Sequence, residues 1–152
     1  MWKYMSDDLE NISLHDHFIG EILVENGDIL LVFNEGFDVV KTHLLNDTGK
    51  SKLTTKSQVI LKNASYSKGA VSYTIQKRDE KDVYVNRPFD FTVLLDDSNE
   101  FEVLGFEFKN GMLKLDGMLN SEFADIYFAC TDVVFCWNDY SEDAWFEGWS
   151  ER

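Results

Sequence analysis

Residues 18–33 read FIGEILVENGDILLVF, and this stretch decides how the rest of the chain is arranged. Two apolar runs flank Asn26-Gly27, a dipeptide that favours a two-residue type I′ hairpin turn because both residues accept a positive φ. The turn fixes the strand register and predicts these facing pairs: Val24 and Ile29, Leu23 and Leu30, Ile22 and Leu31, Glu21 and Val32, Gly20 and Phe33. Both faces of the hairpin are therefore largely apolar, which predicts a central position in the fold.

A second Asn-Gly turn, at residues 110–111, predicts another hairpin between residues 101 and 119. Its register predicts these facing pairs: Phe108 and Leu113, Phe106 and Leu115, Leu104 and Gly117, Glu107 and Lys114. The apolar positions change from odd to even numbers near Leu104-Gly105, which predicts a β-bulge there. This hairpin is apolar on one face only, so we expect it to border solvent.

Short apolar segments separated by turn signals continue through the remaining sequence. They predict strands at 37–45, 58–62, 71–76 and 89–95, two short strands or one bent strand over 125–137, a short helix at 6–11 and a charged loop at 77–82. The total of about nine or ten strands is typical of an antiparallel β-sandwich or a partly open barrel with short terminal helical segments. No linker interrupts the pattern, so residues 1–152 are predicted to form a single, mainly β domain.

The charge of the chain limits the class of partner. The net charge is −14, which argues against nucleic acid because phosphate binding needs clustered Lys and Arg. A basic protein partner is compatible with this charge. The distribution is uneven, with a net +6 over residues 41–81 between ends that carry −8 and −12. We expect the basic middle to neutralise acidic neighbours in the folded protein.

Several features predict a cytoplasmic protein that makes no membrane contact. The charged N-terminus contains no apolar signal-peptide region, and no run approaches the roughly 18 apolar residues of a membrane span. Cys130 and Cys136 are therefore expected to be reduced thiols in the core rather than a disulfide or a metal pair. The sequence leaves the oligomeric state open, with a homodimer among the alternatives.

The sharpest candidate for a metal site is the pattern His15-x-His17-x3-Glu21. In a single strand these side chains would project to one side, where imidazoles and a carboxylate can bind a divalent transition metal. The spacing resembles the first motif of the cupin family, and that resemblance implies a metal-dependent barrel enzyme. The pattern departs from the family at Leu9 and Asp28, which stand where glycines are expected, and a second cupin motif is missing.

Other enzyme motifs do not occur in the sequence. G-x-S-x-G, H-E-x-x-H and a glycine-rich phosphate loop are all missing, and no cofactor is predicted. A pair of catalytic carboxylates cannot be located among 28 acidic residues. The sequence therefore favours a protein without enzymatic activity.

The acidic and aromatic C-terminal segment is the stronger candidate for a binding surface. Exposed Trp and Tyr provide contact area at low entropic cost, and nearby carboxylates steer a basic partner towards them. The predicted partner-binding residues are Asp139, Tyr140, Glu142, Asp143, Trp145, Phe146 and Trp149. A helical turn would place Trp145 and Trp149 on one side. The alternative is that the aromatic residues fold back and cover an open end of the sheet.

Three segments carry a resemblance to a group of bacterial proteins. Residues 14–19 (LHDHFI), 53–59 (LTTKSQV) and 137–139 (WND) resemble segments of small uncharacterised bacterial proteins that open with LHDxxI. Some proteins of this type look like immunity proteins of bacterial toxin systems. The resemblance implies that the protein binds and blocks a toxin, and it identifies no functional residues.

Overall fold

The computed structural model describes residues 1–75 and 83–149, so the predicted charged loop at 77–82 lies outside the described residues. Its helical elements are a 3₁₀ turn, Leu9–Asn11, and the short helix α1, Phe91–Leu95. The strands in chain order are β1 (Tyr4–Ser6), β2 (Ile12–Ser13), β3 (His17–Ile19), β4 (Glu21–Glu25), β5 (Asp28–Phe33), β6 (Asp38–Val39), β7 (Lys52–Thr54), β8 (Ser57–Lys62), β9 (Ser65–Ile75), β10 (Val83–Pro88), β11 (Phe101–Lys109), β12 (Met112–Leu119), β13 (Glu122–Ala129), β14 (Asp132–Trp137) and β15 (Tyr140–Asp143).

These strands form three antiparallel sheets. The front sheet has the order β1-β14-β8-β5-β4, the back sheet β10-β9-β13-β12-β11-β3, and the small sheet β15-β7-β6-β2. Buried apolar side chains from the front and back sheets form one core, in which the Phe106 and Phe135 rings lie 5.8 Å apart. The predicted mainly β sandwich with little helix is therefore confirmed. Within the described ranges, neither helical element has the length and apolar character needed to cross a bilayer.

The first hairpin has the predicted register from Glu21–Val32 to Val24–Ile29. Asn26 and Gly27 have φ values of 53° and 83°, as a type I′ turn requires. Strand β5 lies between β4 and β8, and its residues 29–33 are all buried. The predicted central position is therefore confirmed for β5 only. Strand β4 lies at the edge of the front sheet, and its residues Leu23 and Val24 are exposed.

Gly20 does not extend this hairpin opposite Phe33, as the register had predicted. It lies between β3 in the back sheet and β4 in the front sheet, and its N–H donates to Val32 O at 2.8 Å. A side chain at Gly20 would overlap the amide of Asn34. The chain therefore crosses from one sheet to the other here, and a Cβ at this position would require the exposed Asn34 amide to move.

The second hairpin also has its predicted turn and bulge. Phe106 faces Leu115, and the register shifts between Val103 and Gly105. Because of this shift Gly117 faces Val103, so the predicted pairing with Leu104 is wrong. The sequence pattern predicted the position of the bulge but not which strand pairs the bulge would shift.

A buried tryptophan joins the front sheet to the small sheet. Trp137 at the end of β14 is fully buried, and its ring packs on Tyr4 at 5.4 Å, His43 at 5.4 Å and Phe37 at 6.1 Å. Its Nε1–H donates to the hydroxyl of Tyr140 in β15 at 3.2 Å. The two sheets and the chain near His43 therefore share one aromatic contact cluster.

The apolar run at 89–95 forms α1 rather than the predicted strand. Asp90 is the N-cap, and its carbonyl accepts a hydrogen bond from Val93 N at 3.0 Å. The helical turn buries Leu94 and stacks the Phe91 ring on Tyr66 at 5.1 Å. Short apolar runs fit either period, and here the packing on Tyr66 selects the helix.

Several other segments differ from the predictions. The short helix predicted at 6–11 is limited to the 3₁₀ turn Leu9–Asn11, and the described residues form fifteen strands rather than about nine or ten, because several strands have only two or three residues. The strand expected at 37–45 is limited to Asp38–Val39, because the chain then turns through hydrogen bonds from His43 N to Val40 O and from Asn46 N to His43 O. Strand β9 begins at Ser65 and runs through Gly69, so it is longer than the strand predicted at 71–76. Gly69 permits the Phe89 ring to lie against the strand, since a Cβ there would overlap that ring.

We expect Gly117→Ala to lower the free energy of unfolding by about 2 kcal/mol, the scale of overpacking a core. The new methyl group would overlap the Glu102 carbonyl and the Phe101 ring. Gly105→Ala is the matched control, since its nearest neighbour would be Asp116 Oδ2 at 3.8 Å. Urea unfolding measures both variants, and equal stabilities would contradict the close strand approach at Gly117.

We also expect both cysteines to resist alkylation in the native protein. Cys130 and Cys136 are free and buried, and burial raises the pKa of each thiol to about 11. At pH 8 only on the order of one thiol in a thousand is then ionised, and the thiolate is the reactive form. Labelling with iodoacetamide should be slow in buffer and complete in urea. Rapid labelling of the folded protein would show that the thiols are accessible.

Candidate partner-binding surface

The C-terminal segment is attached to the body of the protein by backbone hydrogen bonds. Strand β15 pairs with β7, and Ala144 N then donates to Ser51 O at 2.9 Å. Two successive turns follow, in which Glu147 N donates to Ala144 O and Trp149 N donates to Phe146 O. The segment is therefore docked, and its side chains occupy fixed positions.

Two tryptophan rings project from these turns. Trp145 and Trp149 are 48% and 51% exposed, and their rings meet edge to face at 5.1 Å. The prediction that the two rings lie together is confirmed. Phe146 is buried and its ring contacts Trp145 at 5.4 Å. This buried ring supports the exposed pair from below, and such edge-to-face contacts are favourable for aromatic rings.

His15 extends the exposed aromatic surface, which the sequence did not predict. Its ring lies 6.0 Å from the Trp145 ring. Its Nδ1–H donates to Leu104 O at 2.7 Å, which fixes the imidazole to the back sheet. His15, Trp145 and Trp149 together are called the aromatic platform below. No local pattern could indicate this contact, because 129 positions separate its two partners in the sequence.

A pocket of about 150 Å³ lies beside the platform. Residues 40–42 form one wall, and Phe146 and Trp149 lie on the other side. The Glu147 carboxylate also lines it, and its Oε1 accepts a hydrogen bond from Ser51 N at 2.6 Å. The pocket is large enough for one side chain of a partner.

The segment that supplies this wall is stabilised by Asn46. This buried amide donates through Nδ2 to Val39 O at 3.1 Å and to Lys50 O at 2.9 Å. Its Oδ1 accepts from Thr48 N at 3.1 Å. One side chain therefore ties together both ends of the 39–50 loop and the turn between them.

His43 supports the same loop as a buried neutral imidazole. Its Nδ1 accepts a hydrogen bond from Leu45 N at 3.0 Å, which leaves Nε2–H to donate to Ser6 Oγ at 2.9 Å. Its ring packs edge-on against Trp137. Burial lowers the pKa of His43, and the charge of Asp8 opposes this effect. Protonation of Nδ1 would remove the acceptor of the Leu45 N–H and break this hydrogen bond.

The predicted carboxylates of the tail differ in their availability. Asp139 and Glu142 are exposed, and neither side chain makes an ion pair within residues 1–75 and 83–149. Asp143 lies 2.8 Å from Lys52 Nζ and 3.7 Å from Lys50 Nζ. The hydrogen bond from Lys52 and the charge of Lys50 lower the pKa of Asp143. Asp143 thus anchors the tail, whereas Asp139 and Glu142 remain available to a partner.

Tyr140 and Phe146 face inward rather than towards solvent. Tyr140 is half-buried, with its ring stacked 6.3 Å from Tyr4, and burial raises the pKa of its hydroxyl. Phe146 is 9% exposed. Both alternatives for the tail therefore apply, because two aromatic side chains cover the body of the protein and two tryptophans remain partly exposed.

The three residues of the predicted metal pattern take separate positions. His17 in β3 donates through Nε2 to the buried carboxylate of Asp38 at 2.8 Å. Asp16, with φ 67°, interrupts the chain between His15 and His17, so the two do not share one strand. Glu21 belongs to the front sheet. In the described part of the chain, no three His, Cys, Asp or Glu side chains are grouped as metal ligands.

No protein-family model matches this chain, and no curated protein or solved structure matches it. The resemblance to immunity proteins therefore stays a prediction. The geometry of the aromatic platform and the charge around it carry the functional argument.

We expect the stability of the protein to fall as the pH drops below the ordinary imidazole pKa of about 6.5. The pKa of His43 is lower in the folded protein than in the unfolded chain. As the pH falls, the unfolded chain therefore takes up the proton first, which favours unfolding. The contribution of His43 to stability is fully present above that pH. It decreases as the pH falls and is lost once the pH is below the pKa of His43 in the folded protein. Urea unfolding at several pH values between about 7.5 and about 5, on either side of the ordinary imidazole pKa, measures how the free energy of unfolding changes with pH.

His43→Gln should remove this part of the pH dependence. His15→Gln controls for the loss of an imidazole at an exposed position and should keep the slope of the wild type. A wild-type free energy of unfolding that is constant across this range would contradict the neutral, buried state of His43.

Proposed function

We propose that this protein is a non-enzymatic binding protein that captures a basic protein partner on its aromatic platform, as an immunity-type inhibitor captures a toxin. The observation that carries the proposal is the half-exposed Trp145–Trp149 pair, held in place by a docked backbone. Tryptophan is enriched among the residues that dominate binding energy at protein interfaces. Its preorganised position here reduces the entropic cost of association.

The shape of the surface supports a protein partner. The pocket of about 150 Å³ beside Trp149 fits a single side chain, while the platform offers exposed aromatic contact area next to it. A central anchor in a pocket with aromatic surroundings is the usual arrangement of the energetic centre of an interface.

The charge of the protein supports a basic partner. The chain carries a net charge of −14, and the exposed carboxylates of Asp139 and Glu142 in the same C-terminal segment make no ion pair in the described ranges. Unpaired surface carboxylates raise the rate of encounter with a positively charged protein. Binding rather than metal chemistry is further supported by the separate partners of His15 and His17.

The variant Trp145→Ala/Trp149→Ala tests this function. Captures from lysate of the source organism, quantified by mass spectrometry, should identify basic proteins that the wild type retains and the variant loses. The affinity of a purified partner should fall at least about 30-fold in the variant, since removing such anchors costs about 2 kcal/mol or more.

Phe123→Ala is the matched control, because Phe123 is an aromatic residue that is 62% exposed in the back sheet. It should leave the affinity unchanged. A basic protein that binds the tryptophan variant as tightly as the wild type would contradict a role for the platform.

A further inference from the structure

A second surface, separate from the platform, has the form of a binding groove. The segment that contains Asp7 and Leu9 faces residues 106–108 of β11 across an open groove of about 580 Å³. Three half-buried apolar side chains, Leu9, Phe106 and Phe108, line its floor. The Phe106 ring packs on Phe135 in the core, so this floor is held from behind.

The groove runs along a strand edge that is only partly used. Strand β11 pairs with β12 along its length, whereas its pairing with β3 covers only residues 101–103. Beyond the bulge at Gly105, β11 therefore has a strand neighbour on one side only within the described residues. A sheet edge of this kind presents backbone N–H and C=O groups to an added strand.

The rim of the groove is acidic. Asp7, Asp8, Glu10 and Glu107 line it, and no Lys or Arg of residues 1–75 and 83–149 belongs to the lining. Asp8 is engaged as the cap of the 3₁₀ turn, since its Oδ1 accepts from Glu10 N. The carboxylates of Asp7, Glu10 and Glu107 make no ion pair in the part of the chain that the structure describes.

The pairing of Glu107 shows that this charge is left uncompensated. Lys114 stands opposite Glu107 in the strand register, as predicted, and opposite charges in such a position can attract one another. Its Nζ instead lies 3.3 Å from Asp116. Lys114, which could neutralise Glu107, therefore pairs with Asp116 instead.

We infer that this groove binds an extended segment of the partner that alternates arginine with apolar side chains, added as a strand to β11 at residues 106–108. Alternate side chains of such a strand face opposite directions, so one set can contact the apolar floor while the other reaches the rim. Arginine suits this rim because guanidinium binds carboxylates through two hydrogen bonds and stacks on aromatic rings.

A second copy of this chain fits the groove less well than a basic partner. Lys50 and Lys52 are engaged by Asp143, and Lys62 is engaged by Asp28. Two copies with a net charge of −14 each would also repel one another. The inference rests on the proposed function, since it adds a second contact region for the same basic partner.

The probe for the test is a labelled synthetic hexapeptide of alternating Arg and Val, with alternating Glu and Val as the charge control. The Arg-Val peptide should bind the wild type, and Asp7→Asn/Glu10→Gln/Glu107→Gln should bind it at least about tenfold more weakly. Hydrogen exchange should show that the amides of residues 106–108 become protected when the peptide binds.

The matched variant Glu25→Gln/Glu35→Gln/Asp97→Asn removes the same charge from three exposed positions outside the groove. It should bind the Arg-Val peptide within about twofold of the wild type. Equal weakening in both triple variants, binding of the Glu-Val peptide, no binding of the Arg-Val peptide, or no protection of residues 106–108 would each overturn the inference.

The tryptophan variant separates this result from the proposed function. Trp145→Ala/Trp149→Ala keeps the groove intact and should bind the Arg-Val peptide as the wild type does. If the groove variant bound the peptide normally while the tryptophan variant lost the native partner, the groove would be rejected and the platform supported. If the groove variant alone lost the peptide and the partner, the groove would be supported and the platform rejected.

Discussion

The burial of Trp137 is the interaction on which the candidate binding surface depends. Its ring is fully enclosed by Tyr4, Phe37 and His43, which belong to three separate segments of the chain. Through its Nε1–H it also holds Tyr140, the first residue of β15. Strand β15 then pairs with β7, and this pairing leads the chain to Trp145 and Trp149 at the surface. We therefore expect a change in the core at Trp137 to displace the platform although Trp137 is not part of it.

The charge pattern of the sequence is explained by contacts between distant segments. The basic middle was expected to neutralise acidic neighbours, and the structure confirms this for Lys52 with Asp143 and for Lys62 with Asp28. Because these cations are satisfied within the protein, the excess carboxylates remain on the outside, including those of the groove beside β11. Exposed pairs of this kind contribute little to stability, so their main effect is on the field that a partner meets.

The features predicted correctly from the sequence are those that depend on residues close together in the chain. Both Asn-Gly turns, the strand pairs next to them and the bulge near Gly105 follow from local backbone preferences and were predicted correctly, whereas the pairs farther from the turns at Gly20 and Leu104 were not. The helix α1 was missed because a five-residue apolar run fits either period until Tyr66 is present to pack on it. Contacts such as that between His15 and Trp145 join positions far apart in the chain, and no local pattern encodes them. The open edge of β11 follows from where β3 ends, which the sequence did not reveal.

In the proposed function a basic protein is drawn to this acidic surface and held by exposed aromatic residues. The association rate constant of the purified partner, measured by stopped-flow at increasing ionic strength, tests this electrostatic attraction. We expect it to fall about tenfold or more between roughly 50 and 500 mM salt, because screening removes electrostatic steering. The dissociation rate constant should change much less over the same range. An association rate constant that does not vary with salt would contradict electrostatic capture.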